Sequence, residues 1–265
     1  RKAHGMDTIK IYVASFAALA LGIGLPVSIL SMVGDSASEE PVAAHAPSHN
    51  DHAAGGENYL KVALESTVRA QGQAIAQVQA QLDHGKALYQ NCFACHGAQG
   101  EGNVLLKSPA LAAQESWYIL SQLQKYKSGV RGKHPEDIEG MMMAPLVAVL
   151  PQTSDMEAVS TYLSSLPFQK PPAQLSGGDH DAGKALYLAC AACHGATGLG
   201  NPDLKSPAIA GQADWYVVSQ LKKFKGGIRG YHADDVEGKQ MVPMMALLPD
   251  EQAMINVATF IHSLR

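Results

Sequence analysis

The sequence predicts an all-α fold: two tandem copies of one small helical domain, preceded by a single transmembrane helix and a helical spacer. Three observations predict it. Residues 84–166 align with 182–264 without a gap at a constant offset of 98, with 45 identities in 83 positions. Apolar residues within each copy recur at helical rather than alternating spacing. Residues 11–33, IYVASFAALALGIGLPVSILSMV, contain no charge. The repeat organises the rest of the chain. Two copies are too few for a solenoid, so each is expected to have its own core.

Residues 1–33 read as an N-terminal membrane anchor. At 1.5 Å per residue the uncharged stretch reaches about 34 Å, enough for a hydrocarbon core of about 30 Å. Arg1, Lys2 and Lys10 precede it; Asp35, Glu39 and Glu40 follow. That bias puts the N-terminus in the cytoplasm and the remainder outside it. A cleaved signal peptide is the competing reading, with Ser36, Ala37 and Ser38 as its small-residue site. The apolar core of a signal peptide is shorter, about 7–15 residues.

Residues 34–56, rich in Ala, His, Gly, Pro and acid, read as an extended or mobile linker. His45, His49 and His52 within it have the chemistry of metal ligands but no implied geometry, and a polar linker is the preferred reading. Residues 57–82 read as a helical spacer. Leu64, Val68, Ile75, Val78 and Leu82 lie on a heptad stripe interrupted by Gln71. Such a stripe suits packing on the chain's own domains or on a neighbouring subunit.

The two domains are 83–166 and 182–265, joined by the Pro/Gly-containing linker 167–181, PFQKPPAQLSGGDHD. In the first copy helices are expected over 85–90, 116–127 and 157–166, and the second copy repeats all three. The net charge is −4 and the lysines are scattered apart from Lys222, Lys223 and Lys225. This argues against a polyanion-binding surface and against nucleic acid as a partner.

Each copy carries one Cys-x-x-Cys-His motif, and together these hold all four cysteines of the chain. A structural zinc site needs four ligands where each copy offers two cysteines and an adjacent histidine. A redox thiol pair would want a βαβ context, which is missing. A disulfide between cysteines three apart is geometrically awkward. The full five-residue pattern signals covalent attachment of haem c. Two thiols on one turn of chain reach the two vinyl groups, and the next residue brings its imidazole to the iron. Cys92, Cys95 and His96 are expected to hold one haem, and Cys190, Cys193 and His194 the other. A core with only 6% aromatic residues leaves room for such a large apolar cofactor.

The sixth iron ligand separates electron transfer from catalysis, because an open position admits peroxide or oxygen chemistry. The repeat register arbitrates among the methionines near 141–143 and 241–245. Met141 aligns with Lys239, Met142 with Gln240, and Met244 and Met245 with Leu146 and Val147. Met143 and Met241 agree, each 47 residues after its histidine and each in a Met-x-Pro context. They are the expected axial ligands, giving iron sites His96/Met143 and His194/Met241. Met156 and Met254 also align, but in the last helix, where packing is the better reading. His134 and His232 are the competing ligands of a bis-histidine scheme. No catalytic residue is assigned.

With these residues in place, each repeat resembles a class I c-type cytochrome domain. GKALY (85–89 and 183–187) is similar to that family's first helix. TYLSSL and TFIHSL are similar to its last helix, with Tyr162 and Phe260 packing across the first. KSPAL and KSPAI resemble the loop whose proline, here Pro109 or Pro207, faces the histidine side. The tandem over about 84–265 resembles the dihaem c4-type cytochromes. The resemblance implies a periplasmic electron carrier that is not itself an enzyme. It would be anchored in the inner (cytoplasmic) membrane by its single-pass helix, with both haem domains in the periplasm. It would take single electrons within a respiratory chain from a quinol-oxidising complex and deliver them to a terminal oxidase. An electron-transfer subunit of a periplasmic dehydrogenase, or a dihaem peroxidase, are the alternatives. Trp117, Tyr118 and Arg131, with Trp215, Tyr216 and Arg229, are candidate partners of the haem propionates, and simple packing competes for the aromatics.

Overall fold

The structure, a computed structural model, describes residues 51–265. The expected membrane anchor (1–33) and the histidine-bearing stretch up to residue 50 lie outside the described residues. Among those described, no helix is long and apolar enough to cross a membrane. They are helical with no strand, and the only extended pairings among them are two isolated bridges, Asn103–Ser108 and Asn201–Ser206.

The first helix, α1 (Asp51–Tyr89), is longer than either segment expected there. It begins inside the stretch read as an extended linker and runs without a break through residue 82 into the first domain. Spacer and entry helix are one element, because nothing between Leu82 and Gly85 interrupts helical backbone. Leu64, Val68, Ile75 and Val78 of the heptad stripe are 53–71% exposed, so the stripe does not pack on the chain's own domains. Burial begins at Leu82 and is complete at Gly85 and Tyr89, one helical face.

Domain 1 continues through α2 (Phe93–His96), α3 (Ser116–Ser128), α4 (Ile138–Met143), a 3₁₀ turn (Ala144–Val149) and α5 (Thr153–Ser165). Domain 2 repeats it with α6 (His180–His194), α7 (Asp214–Lys225), α8 (Val236–Met244) and α9 (Glu251–Ser263). The elements stop where their chemistry dictates. Helix α3 ends at Gly129 with φ +80°, a left-handed C-cap. Asp179 and Asp250 accept backbone N–H groups at the starts of α6 and α9, and Gln152 with Asp155 forms a capping box on α5.

In each domain the first and last helices cross at a glycine. A Cβ on Gly85 would lie 2.1 Å from the Ala158 carbonyl oxygen, and one on Gly183 would lie 2.0 Å from that of Asn256. Next to these crossings Tyr89 meets Tyr162 at 5.7 Å between ring centroids, and Tyr187 meets Phe260 at 5.2 Å. Met156 and Met254 are 2% and 3% exposed in the two cores, which fits the packing role expected of them.

The linker 167–181 is held against domain 2. The N–H groups of Gln174 and Leu175 donate to the buried Asp214 carboxylate, and His262 bonds the Pro171 carbonyl at 2.8 Å. Its last residues, His180 and Asp181, already belong to α6.

Candidate functional site: two haem-binding sites joined at one interface

The turn after each motif sets its histidine. Gly102 N–H donates to the His96 carbonyl (2.8 Å), and Gly200 N–H to that of His194 (2.9 Å). Both glycines have φ above +80° and no room for a Cβ, which would come within 2.6 Å of the following proline-loop backbone. The proline loop thus lies against the motif. His96 Nδ1 donates to the Pro109 carbonyl at 2.9 Å and His194 Nδ1 to that of Pro207 at 2.8 Å. Burial pushes both imidazoles below their usual pKa, while those carbonyls pull the other way. A neutral ring that spends its Nδ1 proton on a carbonyl leaves Nε2 as a lone pair for a metal. Tyr89 and Tyr187 hydroxyls fix the same turn by donating to Gly97 and Gly195 carbonyls, both at 2.7 Å.

A cavity of about 770 Å³ opens in front of these groups. In domain 1 its walls include Cys92, Cys95, His96, Pro109 and Met143, and in domain 2 Cys190, Cys193, His194, Pro207 and Met241. The four cysteines form no disulfide. Among the described residues no three His, Cys, Asp or Glu side chains gather as a metal site. Trp117, Tyr118, Arg131 and their counterparts Trp215, Tyr216 and Arg229 also line the cavity. His134 and His232 do not. His134 instead accepts the Glu136 N–H and stacks edge-on against Tyr231.

The methionines sit on short helices that were not among the three expected in each copy. Asp137 and Asp235 cap α4 and α8 by accepting the Gly140 and Gly238 N–H groups, each at 3.2 Å. Met143 and Met241 are half-buried against the cores of their own domains. Met142 and Met244 line the cavity too, so lining alone does not select a ligand; the repeat register does. The far end of each methionine segment is tied by a lysine of its own domain. Lys127 Nζ donates to the Leu150 and Pro151 carbonyls, and Lys225 Nζ to those of Leu248 and Pro249.

The walls of the two halves meet across the domain interface, whose contacts are reciprocal. Lys125 bonds Asp235 (2.7 Å) and Glu237 (2.6 Å) of the other domain; Lys223 bonds Asp137 (2.6 Å) and Glu139 (2.7 Å). Lys107 lies over Trp215 and Lys205 over Trp117. Repeat-equivalent residues make equivalent contacts in both directions, the mark of an isologous twofold interface. Gln122 accepts Arg131 and Gln220 accepts Arg229. The sequence reading missed this network. Its one signal was that Lys125, Asp137 and Glu139 recur unchanged as Lys223, Asp235 and Glu237.

The residues present fit a haem in each half. The wall is mainly apolar, the thiols and imidazole converge on it, and the buried Nε atoms of Arg131 and Arg229 have no hydrogen-bond partner. A buried guanidinium N–H without a partner calls for an acceptor, which a propionate supplies.

The interface carboxylates make a pH prediction. Hydrogen bonds from the facing lysines hold Glu139 and Glu237 below the ordinary glutamate range. Burial pushes Asp235 up, but Lys125 and the other donors outweigh it, and the net shift is downward. A depressed carboxylate stabilises the folded state above its unfolded pKa, about 3.9 for Asp and 4.3 for Glu, and that stability is lost as pH falls through the folded value. Resistance to guanidinium is expected to fall as the solution is acidified below about pH 4. In Glu139→Gln/Glu237→Gln that acid dependence should be flatter.

Two convergent thiols, a buried imidazole with a free Nε2 and a half-buried thioether define each domain as a c-type haem-binding domain, and the chain as a pair of them. The family model for cytochrome c matches residues 82–167 and again 180–265, and the chain belongs to that family. It is a dihaem class I c-type cytochrome with two covalently bound haem c groups. It is 31% identical over 191 residues to cytochrome c4 of Azotobacter vinelandii, covering 68% of this chain and 88% of that one. It is 34% identical over 151 residues to a thiosulfate dehydrogenase electron acceptor of Thiomonas intermedia, covering 52% of this chain and 64% of the relative. The solved structure of Acidithiobacillus ferrooxidans cytochrome c4 matches with a TM-score of 0.52 at 28% identity, over 66% of this chain and 99% of that one.

Proposed function

We propose that this dihaem protein is a membrane-anchored periplasmic electron carrier, passing single electrons from a quinol-oxidising complex to a terminal oxidase. The observation that carries the electron-transfer reading is the shared cavity, which brings two equivalent haem sites to one twofold interface. Bound there, each haem iron supplies a reversible one-electron couple. The chain's residues do the rest. Cys92, Cys95, Cys190 and Cys193 hold the group covalently, and His96 and His194, oriented by Pro109 and Pro207, present Nε2 to the iron. Met143 and Met241 would supply each iron with a thioether ligand, which would raise its reduction potential and leave no position for a substrate. Arg131 and Arg229, whose buried Nε atoms have no other partner, would hold the propionates.

The anchor rests on the uncharged stretch 11–33 and the basic residues before it. Washing membranes with high salt and with carbonate tests it: the protein should stay in the pellet, and release by carbonate would refute the anchor. A second reading, acceptor of electrons from a periplasmic dehydrogenase, is favoured by the likeness to the thiosulfate dehydrogenase electron acceptor. Mixing the oxidised protein with purified quinol-oxidising complex or with thiosulfate dehydrogenase separates the two. Faster reduction by the quinol-oxidising complex is expected; reduction by the dehydrogenase alone would replace the first reading with the second.

A further inference from the structure

We infer that each domain holds the methionine-bearing helix of the other in place, so that Lys125 guards the iron of domain 2 and Lys223 the iron of domain 1. The inference rests on Met143 and Met241 being the axial ligands. Each methionine lies in a segment fixed at two ends. In domain 2 the later end is tied from within, by Lys225 on the carbonyls of Leu248 and Pro249. The earlier end begins at Asp235, whose carboxylate caps α8 through the Gly238 N–H. No lysine of domain 2 reaches that carboxylate. Lys125 of domain 1 does, at 2.7 Å, and takes Glu237 in the first turn of α8 at 2.6 Å. Domain 1 mirrors this: Lys127 ties the later end of its segment, and Lys223 of domain 2 grips Asp137 and Glu139.

The pairs are deep enough to matter. The side chains of Asp235 and Asp137 are 2% and 3% exposed, and those of Lys125 and Lys223 13% and 11%. Removing one member of such a pair strands a buried charge, which is far costlier than losing a surface ion pair. Without Lys125, Asp235 keeps only the more distant charge of Arg229 and the Gly238 N–H, so its carboxylate is less firmly held and its cap on α8 loosens. Met241 lies six residues further along. Lys125 and Lys223 are therefore positioning residues acting through a helix cap. The coupling crosses the interface because the gripped carboxylate and the ligand share one short helix.

The test uses the full-length protein with both haems attached. Imidazole competes with methionine for ferric iron, and hyperfine-shifted haem methyl resonances follow the two irons separately. In Lys125→Met the apparent imidazole affinity of the domain 2 haem should rise about tenfold, equivalent to ~1.4 kcal/mol, with the domain 1 haem little changed. Lys223→Met should show the reverse, and Lys125→Arg, which keeps the charge, should retain most of the protection. Where Lys125→Met yields no folded protein, Glu237→Gln removes one arm of the grip at a more exposed carboxylate. It should produce a smaller rise at the same haem. An unchanged domain 2 haem, or a larger effect at the domain 1 haem, would overturn the clamp. Met241→Ala is measured in parallel through the methionine–iron charge-transfer band. If that variant loses half of the band while Lys125→Met changes nothing, the clamp alone fails. If it retains the whole band, the ligand assignment fails and the clamp with it.

Discussion

Replacing Met241 with histidine is expected to leave both haems attached and to lower the potential of one of them by roughly 0.3 V, a fraction of the ~0.8 V that axial ligands span. The thioether is a soft, weakly donating ligand that favours ferrous iron, and a second imidazole stabilises the ferric state. Met143→His should do the same to the other haem, and the double variant to both. The neighbours serve as controls. Met142 is 63% exposed and Met245 only 4%, the first towards solvent and the second in the core. Met142→Leu should leave both potentials in place, while Met245→Ala should cost stability without removing a methionine band. A Met142 variant that lowers a potential as far as Met143→His would show that the repeat register picked the wrong residue.

Gly183→Ala is expected to lower the stability of domain 2 by about 2–3 kcal/mol, although alanine is the better helix former by about 1 kcal/mol. The added methyl would sit 2.0 Å from the Asn256 carbonyl oxygen and 2.6 Å from its carbon, both backbone atoms that cannot step aside without separating α6 from α9. Those helices carry Tyr187 and Phe260, and α6 ends in the haem motif, so the displacement reaches His194. Gly72→Ala provides the contrast: nothing lies within 4 Å of its Cβ position, and no loss of stability should follow. Guanidinium unfolding followed by haem absorbance measures both. A Gly183→Ala protein as stable as the parent would mean that the helices do not cross this closely.

Much of the site was legible because covalent haem attachment leaves a fixed local pattern. Two thiols and an imidazole must fall within five consecutive residues, so Cys92, Cys95 and His96 announce themselves with their repeat partners. The methionines have no such local signature. Met143 and Met241 emerged only because one chain holds two registers of the same domain, and the substitutions at 141, 142, 146 and 147 eliminated their neighbours. The helices that carry them escaped notice: α4 and α8 span only six and nine residues, begin at a lone Asp cap and contain internal glycines. Such segments have too few turns for a periodic signal.

The interface was hidden for a different reason. Lys125 and Lys223 stand in the last turns of α3 and α7, where a basic residue ordinarily reads as a solvated partner of the helix dipole. That they instead reach carboxylates 110 or more positions away, or 84 and 86 in the reverse direction, depends on how the domains pack. Spacing along the chain carries no trace of that. The linker shows the same limit, since its prolines and glycines read only as a linker, while Asp214 and His262 hold it against domain 2. One helix runs across the boundary at 82, because a heptad pattern and a domain-entry pattern can share one uninterrupted element.

In the proposed arrangement two equivalent haem sites, each closed by a methionine, carry electrons one at a time. An optical potentiometric titration of the purified protein, run with and without carbon monoxide, tests it most directly. Uptake of two electrons per chain is expected, each haem contributing equally to the absorbance change, with potentials that carbon monoxide does not move. Uptake of only one electron per chain, or a rise in either potential under carbon monoxide, would contradict it by showing one haem only or an iron with an open position.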